Sequence, residues 1–165
     1  VKFYTNTSSA GPSRILGDLA GMRRHGPRLM YKSSLALREL IRGTFASETD
    51  PWGNAWKPLK PATLRERKRR GFESTRKLIR TGALFASINT RVQGDRVKMT
   101  AGEGLEYAET QQFGNEFNTM FGNPAPIPKR RFIPVWKNGR VVMPQPWWDK
   151  MLEPWDYFFM KTLGL

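Results

Sequence analysis

At 165 residues the chain is about one domain long, and with 39% hydrophobic and 12% aromatic residues it is too apolar for a disordered chain. Twenty-eight Lys and Arg against 14 acidic residues give a formal charge of +14, and the absence of cysteine excludes disulfides, zinc–thiolate sites and thiol nucleophiles. Residues 1–100 carry 21 basic and 7 acidic groups whereas residues 101–165 carry 7 of each, which suggests that one surface meets something anionic (nucleic acid, a membrane surface or an acidic protein), the alternative being a solubilising excess with no specific partner.

The opening stretch, VKFYTNTSSAGPSR, is too polar for a signal peptide and reads as a flexible arm over residues 1–12. A chain starting at Val1 is expected to have lost an initiator methionine and to fold in a cytoplasm. An α+β domain is expected over residues 13–145. Ile15, Leu16, Leu19 and Met22 recur at helical spacing, and HGP at His25–Pro27 is expected to end that helix. A second helix is predicted from about Arg28 to Phe45, its apolar stripe formed by Met30, Leu37, Leu40, Ile41 and Phe45.

Asp50–Pro61 is a loop stiffened by Pro51, Gly53, Pro58 and Pro61. It carries Trp52 and Trp56, whose rings are better explained as covers on a core than as base-stacking platforms. Thr63 and Glu66 are spaced as a capping box for a short helix, Leu64–Arg70. That helix bears Arg65, Arg67, Lys68, Arg69 and Arg70 with Leu64 as its one apolar member, so it faces solvent or a partner. Nonspecific phosphate contact and docking to an acidic protein both fit such a saturated run.

Beyond Thr81 a short helix leads into a hairpin. Ile88, Thr90 and Val92 alternate with polar residues, Gly94-Asp95 supplies the turn, and Val97 and Met99 continue the alternation. Glu106–Gly114 is predicted as a short helix stopped by its glycine. Asn115–Pro128 has no hydrophobic period, and so long a loop is usually functional or mobile; its Asn115–Pro126 part, with Phe117, Met120 and Phe121, is a candidate docking loop ordered only on assembly. KRRFIPVW and GRVVM read as two more strands joined at Asn138-Gly139. These elements predict one antiparallel sheet of about four strands, flanked by the long helix of the N-terminal half and by shorter helices. Residues 146–165 are expected as an aromatic helical extension whose rings either complete the sheet's hydrophobic face or form an intersubunit patch. A mixture is favoured, one side packed and the other contacting a partner, with Trp147, Trp148, Trp155, Phe158 and Phe159 as candidate intersubunit anchors.

Catalytic chemistry finds little support. His25 is the one histidine, and no Ser/His/Asp arrangement is in reach of it. Glu103, Glu106 and Glu109 are spaced so that they could share a face; a metal-dependent nuclease-like reading of them is the weakest hypothesis. A free-standing basic DNA-binding protein is the stronger alternative, distinguished by salt-sensitive duplex binding. No apolar run approaches the roughly 20 residues that span a bilayer, and no membrane partner is expected.

Four segments in order resemble the phage virion morphogenesis family, the tail-completion proteins of tailed bacteriophages. Asp50, Pro51, Gly53, Trp56 and Leu59 before Thr63 match its Pro-x-Gly-x-x-Trp-x-x-Leu pattern. Leu78, Thr81, Gly82 and Leu84 match its Leu-x-x-Thr-Gly-x-Leu turn. Tyr107, Ala108 and Gly114 match a Tyr-Ala…Gly segment, and Pro128, Arg130 or Arg131, and Phe132 match Pro-x-Arg-x-Phe. The resemblance spans about residues 40–135. It implies a non-enzymatic, cofactor-free structural protein of the virion, assembled in the host cytoplasm. Such a protein would form a homo-oligomeric ring in the neck, with six copies favoured. It would contact adjacent neck, tail-terminator or head-closure proteins and, nonspecifically, the genomic DNA in the channel.

Overall fold

In a computed structural model, which describes residues 12–94, 96–120 and 123–163, the chain is α+β. Helix α1 runs Pro12–Ser47, α2 Pro61–Arg69, α3 Ala83–Ala86, α4 Tyr107–Phe113 and α5 Gln145–Leu163. The strands are β1 Asn89–Gln93, β2 Arg96–Thr100, β3 Thr119–Met120, β4 Asn123–Pro124, β5 Val135–Lys137 and β6 Arg140–Val142. Of the expected arm, residues 1–11 lie outside the described residues, and Pro12 opens α1.

The predicted break at His25–Pro27 does not occur. Helix α1 passes through Pro27 without ending. Proline normally forces its predecessor out of the helical region by clashing with that residue's Cβ, but the predecessor here is Gly26, which has none. Tertiary packing adds to this: α5 lies along α1, and the rings of His25 and Phe158 are 5.5 Å apart.

The stripe predicted on the second half of α1 does point inward. Leu37, Ile41 and Phe45 are buried with Trp56, Leu84, Ile88, Ala108, Phe132, Met143 and Trp147. Phe45 sits at the centre of that cluster, edge-on to Trp56, Phe85 and Phe132 at 5.5–5.6 Å between centroids. Each such contact adds to plain area burial.

The β1–β2 hairpin forms in the predicted register, Val92 opposite Val97 and Thr90 opposite Met99. Its less exposed face lies against α1, to which Thr90 Oγ1 donates through the Ser34 carbonyl at 2.9 Å. Asp95 of the expected turn lies outside the described residues. The single four-stranded sheet is not found: among the described residues there are three separate antiparallel pairs, β1–β2, β3–β4 and β5–β6. The reason lies in residues 130–134, expected as strand, whose backbone groups are taken by side chains instead of a neighbouring ladder. Gln112 Oε1 accepts from Phe132 N (3.0 Å) and Ile133 N (3.4 Å), while its Nε2 donates to the Ile133 carbonyl (3.0 Å). Trp56 Nε1 donates to the Arg131 carbonyl at 2.8 Å, and Thr44 Oγ1 lies 3.3 Å from the Phe132 carbonyl. With the amides of Phe132 and Ile133 and the carbonyls of Arg131, Phe132 and Ile133 engaged in this way, the segment has little left to offer a strand partner. Only the outward part, Val135 to Val142, makes a hairpin, turning at Asn138-Gly139 with both residues left-handed.

Helix α5 completes the core from the far side. Trp147 is buried at its first turn, Trp155 Nε1 donates to Ser33 Oγ at 3.1 Å, and Ser33 Oγ donates to the Met151 carbonyl at 2.6 Å. Two hydroxyl-mediated links thus tie the small-residue face of α1 to α5.

Candidate functional site

The basic helix is held on a built platform, and building it consumes part of the charge. Helix α2 begins at Pro61, three residues earlier than expected, with Lys60 at the N-cap and no side-chain cap. The predicted Thr63–Glu66 capping box is therefore absent. Proline at the first helical position supplies the start, because its missing N–H would be unpaired there anyway. Glu66 turns instead to its own helix: Arg69 Nε donates to it at 2.9 Å, and Arg70 Nε donates as well. These hydrogen bonds, Arg69's first, hold the Glu66 carboxyl down at about 2.

Arg67 faces the body of the protein. Its Nη1 donates to the carbonyls of Ser74 (2.9 Å) and Arg76 (2.8 Å), and burial together with the nearby Arg80 charge depresses its pKa. Arg76 in turn caps the end of α1, donating from Nη2 to the Phe45 carbonyl at 2.7 Å and the Ala46 carbonyl at 3.2 Å. Beside it, Glu48 accepts from Lys77 N (2.6 Å) and Lys77 Nζ (2.5 Å). The chain of contacts α1–Arg76–Arg67 fixes where α2 projects.

The five cations singled out in the sequence therefore divide. Arg67 is a pin, and Arg69 and Arg70 are paired with Glu66. Arg65 and Lys68 are exposed and, among the described residues, have no hydrogen-bonding or ionic partner. They are the cations α2 offers outward. α2 has no buried residue, as expected of a helix with so little apolar surface.

The two loop tryptophans divide as well. Trp56 is 3% exposed and belongs to the core, whereas Trp52 stays 37% exposed. Asp50 Oδ1 accepts from the backbone N–H of Trp52 and of Asn54, each at 2.9 Å, so the loop is tied by a side-chain turn rather than by its prolines alone. Arg130, one of two arginines that the family pattern could have used, is buried behind this loop. It donates to the carbonyls of Lys57 (3.0 Å) and Pro58 (3.3 Å) and to Gln111 Oε1 (3.3 Å), and burial lowers its pKa. Charge alone does not distinguish Arg130 from its neighbours Lys129 and Arg131. Gln112 and Arg76 are organising residues that reading the sequence missed; the Pro-x-Arg-x-Phe spacing had pointed at Arg130 or Arg131, and the structure gives the organising role to Arg130.

The candidate docking loop has structure of its own. Asn115 bridges to Ile127, Asn118 Nδ2 donates to the Ala125 carbonyl at 2.7 Å, and β3–β4 closes the tip. Phe117 is 93% exposed, held by a turn in which its N–H donates to Asn115 Oδ1 at 3.0 Å. Phe121 and the side chain of Met120 lie outside the described residues. Among the C-terminal aromatics, Trp147 is buried, and Trp148, Trp155, Phe158 and Phe159 are partly covered. Tyr157 and Met160 face outward. Among the described residues no three His, Cys, Asp or Glu side chains converge closely enough to hold a metal ion, Glu103, Glu106 and Glu109 included. Nor is any described helix long and apolar enough to cross a membrane.

All four motif segments meet in the core through Trp56, Leu84, Ala108 and Phe132, and Arg130 of the fourth clasps the Trp loop. The motifs are thus a signature of architecture. Comparison with curated proteins finds no match, and comparison with solved structures finds none either. Comparison with protein families does: the model of the phage virion morphogenesis family matches residues 12–144, from the first residue of α1 to the residue before α5. The chain belongs to the phage virion morphogenesis family.

Proposed function

We infer that this protein is a structural component of a tailed phage that completes the tail and joins it to the head, acting as a ring in the neck around the DNA channel. The observation that carries the reading is the family match across residues 12–144. Its motif residues build a scaffold, and the side chains left outward are those of a protein that docks: the free cations of α2, Phe117 on a tied hairpin, and Trp52 on the loop that precedes the basic helix. Its action is positional, through surfaces held in register, and no catalytic step is assigned to it. The neighbours in this reading are the adjoining neck, tail-terminator or head-closure proteins, with genomic DNA passing within reach of a chain of net charge +14.

The test is native mass spectrometry of the purified protein, alone and after addition of tails lacking it. A closed ring, or a monomer that becomes a ring on tails, is the expected result. A persistent monomer that ignores tails and binds duplex DNA with a steep salt dependence would replace this reading with that of a free-standing DNA-binding protein.

A further inference from the structure

Beside α4 lies an open groove of about 340 Å³, floored by Leu105, Ala108 and Phe132 and rimmed by Glu106, Glu109 and Phe113. Phe113 is 60% exposed, an uncommon position for a large ring with an apolar floor next to it. The two glutamates are exposed and, among the described residues, carry no ion pair. Their setting in the chain is equally unusual. Residues 99–128 contain four glutamates and no Lys or Arg, in a protein with 28 basic residues elsewhere.

Helical geometry puts the rim of this groove and the link toward the loop before the basic helix on opposite flanks of α4. At about 100° per residue, Glu106, Glu109 and Phe113 share one flank of α4. Gln111, which holds Arg130 and through it the loop leading to α2, points to the opposite flank. On α2 the same geometry groups Pro61, Arg65 and Lys68, spaced i, i+4, i+7, on a stripe facing away from the pinned Arg67. One stripe offers two carboxylates and a ring, the other two unpaired cations and a proline ring. They are complementary, and among the described residues no ion pair or hydrogen bond joins them within one molecule.

We propose that the groove beside α4 receives the Pro61–Arg65–Lys68 face of α2 from a second copy of this chain, the acidic rim pairing with the two cations and Phe113 covering Pro61. The contact is heterologous: each copy presents a groove on one side and a basic helix on the other, so repetition leads to a ring if the rotation closes. Exposed ion pairs contribute little individually, so the apolar floor supplies the contact area while the charges fix the partner and its register. In copies that each carry +14, the groove is also where mutual repulsion is locally reversed. This inference rests on the ring reading above and names the surfaces by which the ring closes.

Charge exchange tests it. The Glu106→Lys/Glu109→Lys variant and the Arg65→Glu/Lys68→Glu variant are each expected to weaken self-association about tenfold or more, read by native mass spectrometry and sedimentation. All four side chains are exposed, and far-ultraviolet circular dichroism checks that each variant is folded. The variant carrying all four changes is expected to regain assembly, because the charges again oppose, and a folding defect would not be repaired in this way. Assembly unchanged in either double variant, or absent in the fourfold variant, would overturn the proposal while leaving the ring reading in place. Loss of duplex binding in Arg65→Glu/Lys68→Glu with assembly intact would overturn it in favour of DNA as the occupant. A wild-type chain that never assembles, even on tails, would remove the ring reading itself.

Discussion

Glu48 stands at a position few residues accept. It follows the last turn of α1 with φ +57°, and its carboxylate takes both the N–H and the ammonium of Lys77. Burial works against its charge, but the Lys77 hydrogen bonds and the charges of Lys77 and Arg76 outweigh it, so its pKa is depressed. A depressed folded-state pKa stabilises the protein above the unfolded pKa, and that contribution is lost as pH falls through the folded value. In Glu48→Gln the contribution is missing at every pH. Wild type is therefore expected to exceed the variant by about 1–2 kcal/mol near neutrality, with the gap closing below about pH 4. Urea midpoints from pH 6 down to pH 3 measure it, and a gap independent of pH would assign Glu48 a role other than its charge. Nothing in the sequence announces this residue, since its partner is 29 positions away. Trp56 is the contrary case. An aromatic ring among prolines already pointed to a core cover, although its bond to the Arg131 carbonyl depends on a contact 75 residues distant.

At the scale of elements, what the sequence revealed was whatever depends on nearest neighbours. The hairpin β1–β2 and the helix ended by Gly114 both follow from alternation, periodicity and turn chemistry within a few residues. The splitting of the sheet was hidden because Gln112, some 20 residues away, occupies the would-be strand. The continuity of α1 was hidden only in part, since Gly26 stands next to Pro27 in the sequence but α5 lying along α1 does not. The account of α1 makes a testable claim about Gly26 and Pro27. Restoring the missing N–H with Pro27→Ala is expected to stabilise the protein by about 1–3 kcal/mol. Gly26→Ala, whose new Cβ meets no atom within 4 Å elsewhere in the protein, is expected to destabilise when Pro27 is present. In the Pro27→Ala background the same change is expected to stabilise by about 0.5–1 kcal/mol. The two substitutions should thus be non-additive, with a change of sign that thermal unfolding of the four proteins in the cycle would reveal. Additive effects would mean that the helix crosses Pro27 for a reason other than the missing Cβ.

For the whole molecule, the question is whether α5 is an appendage or part of the fold. The family match stops at residue 144, which taken alone would make α5 an addition, whereas its aromatics read from sequence suggest one side packed on the core and the other turned to a partner. Packing argues otherwise. Trp147 is in the central cluster with Phe45 and Phe132, and Trp148 and Met151 pack against that cluster. Ser33 and Ser34 on α1 are buried; Ser33 is covered by links to Met151 and Trp155 on α5. Removing α5 would open the α1 face, leave a buried hydroxyl without its partners, and expose Leu37 and its neighbours to water. A chain ended after Pro144 is therefore expected to unfold at least 10 °C lower than the full chain, by order of magnitude, or to aggregate. Trp155→Phe, which removes one hydrogen bond and keeps most of the packing, is expected to lose only about 1 kcal/mol. Differential scanning calorimetry of the three proteins separates the alternatives. If the shortened chain melts with the full one, α5 is free to serve a partner along its whole apolar face. If it does not, α5 meets a partner through the side chains it turns outward, among the described residues Leu152, Tyr157 and Met160 first.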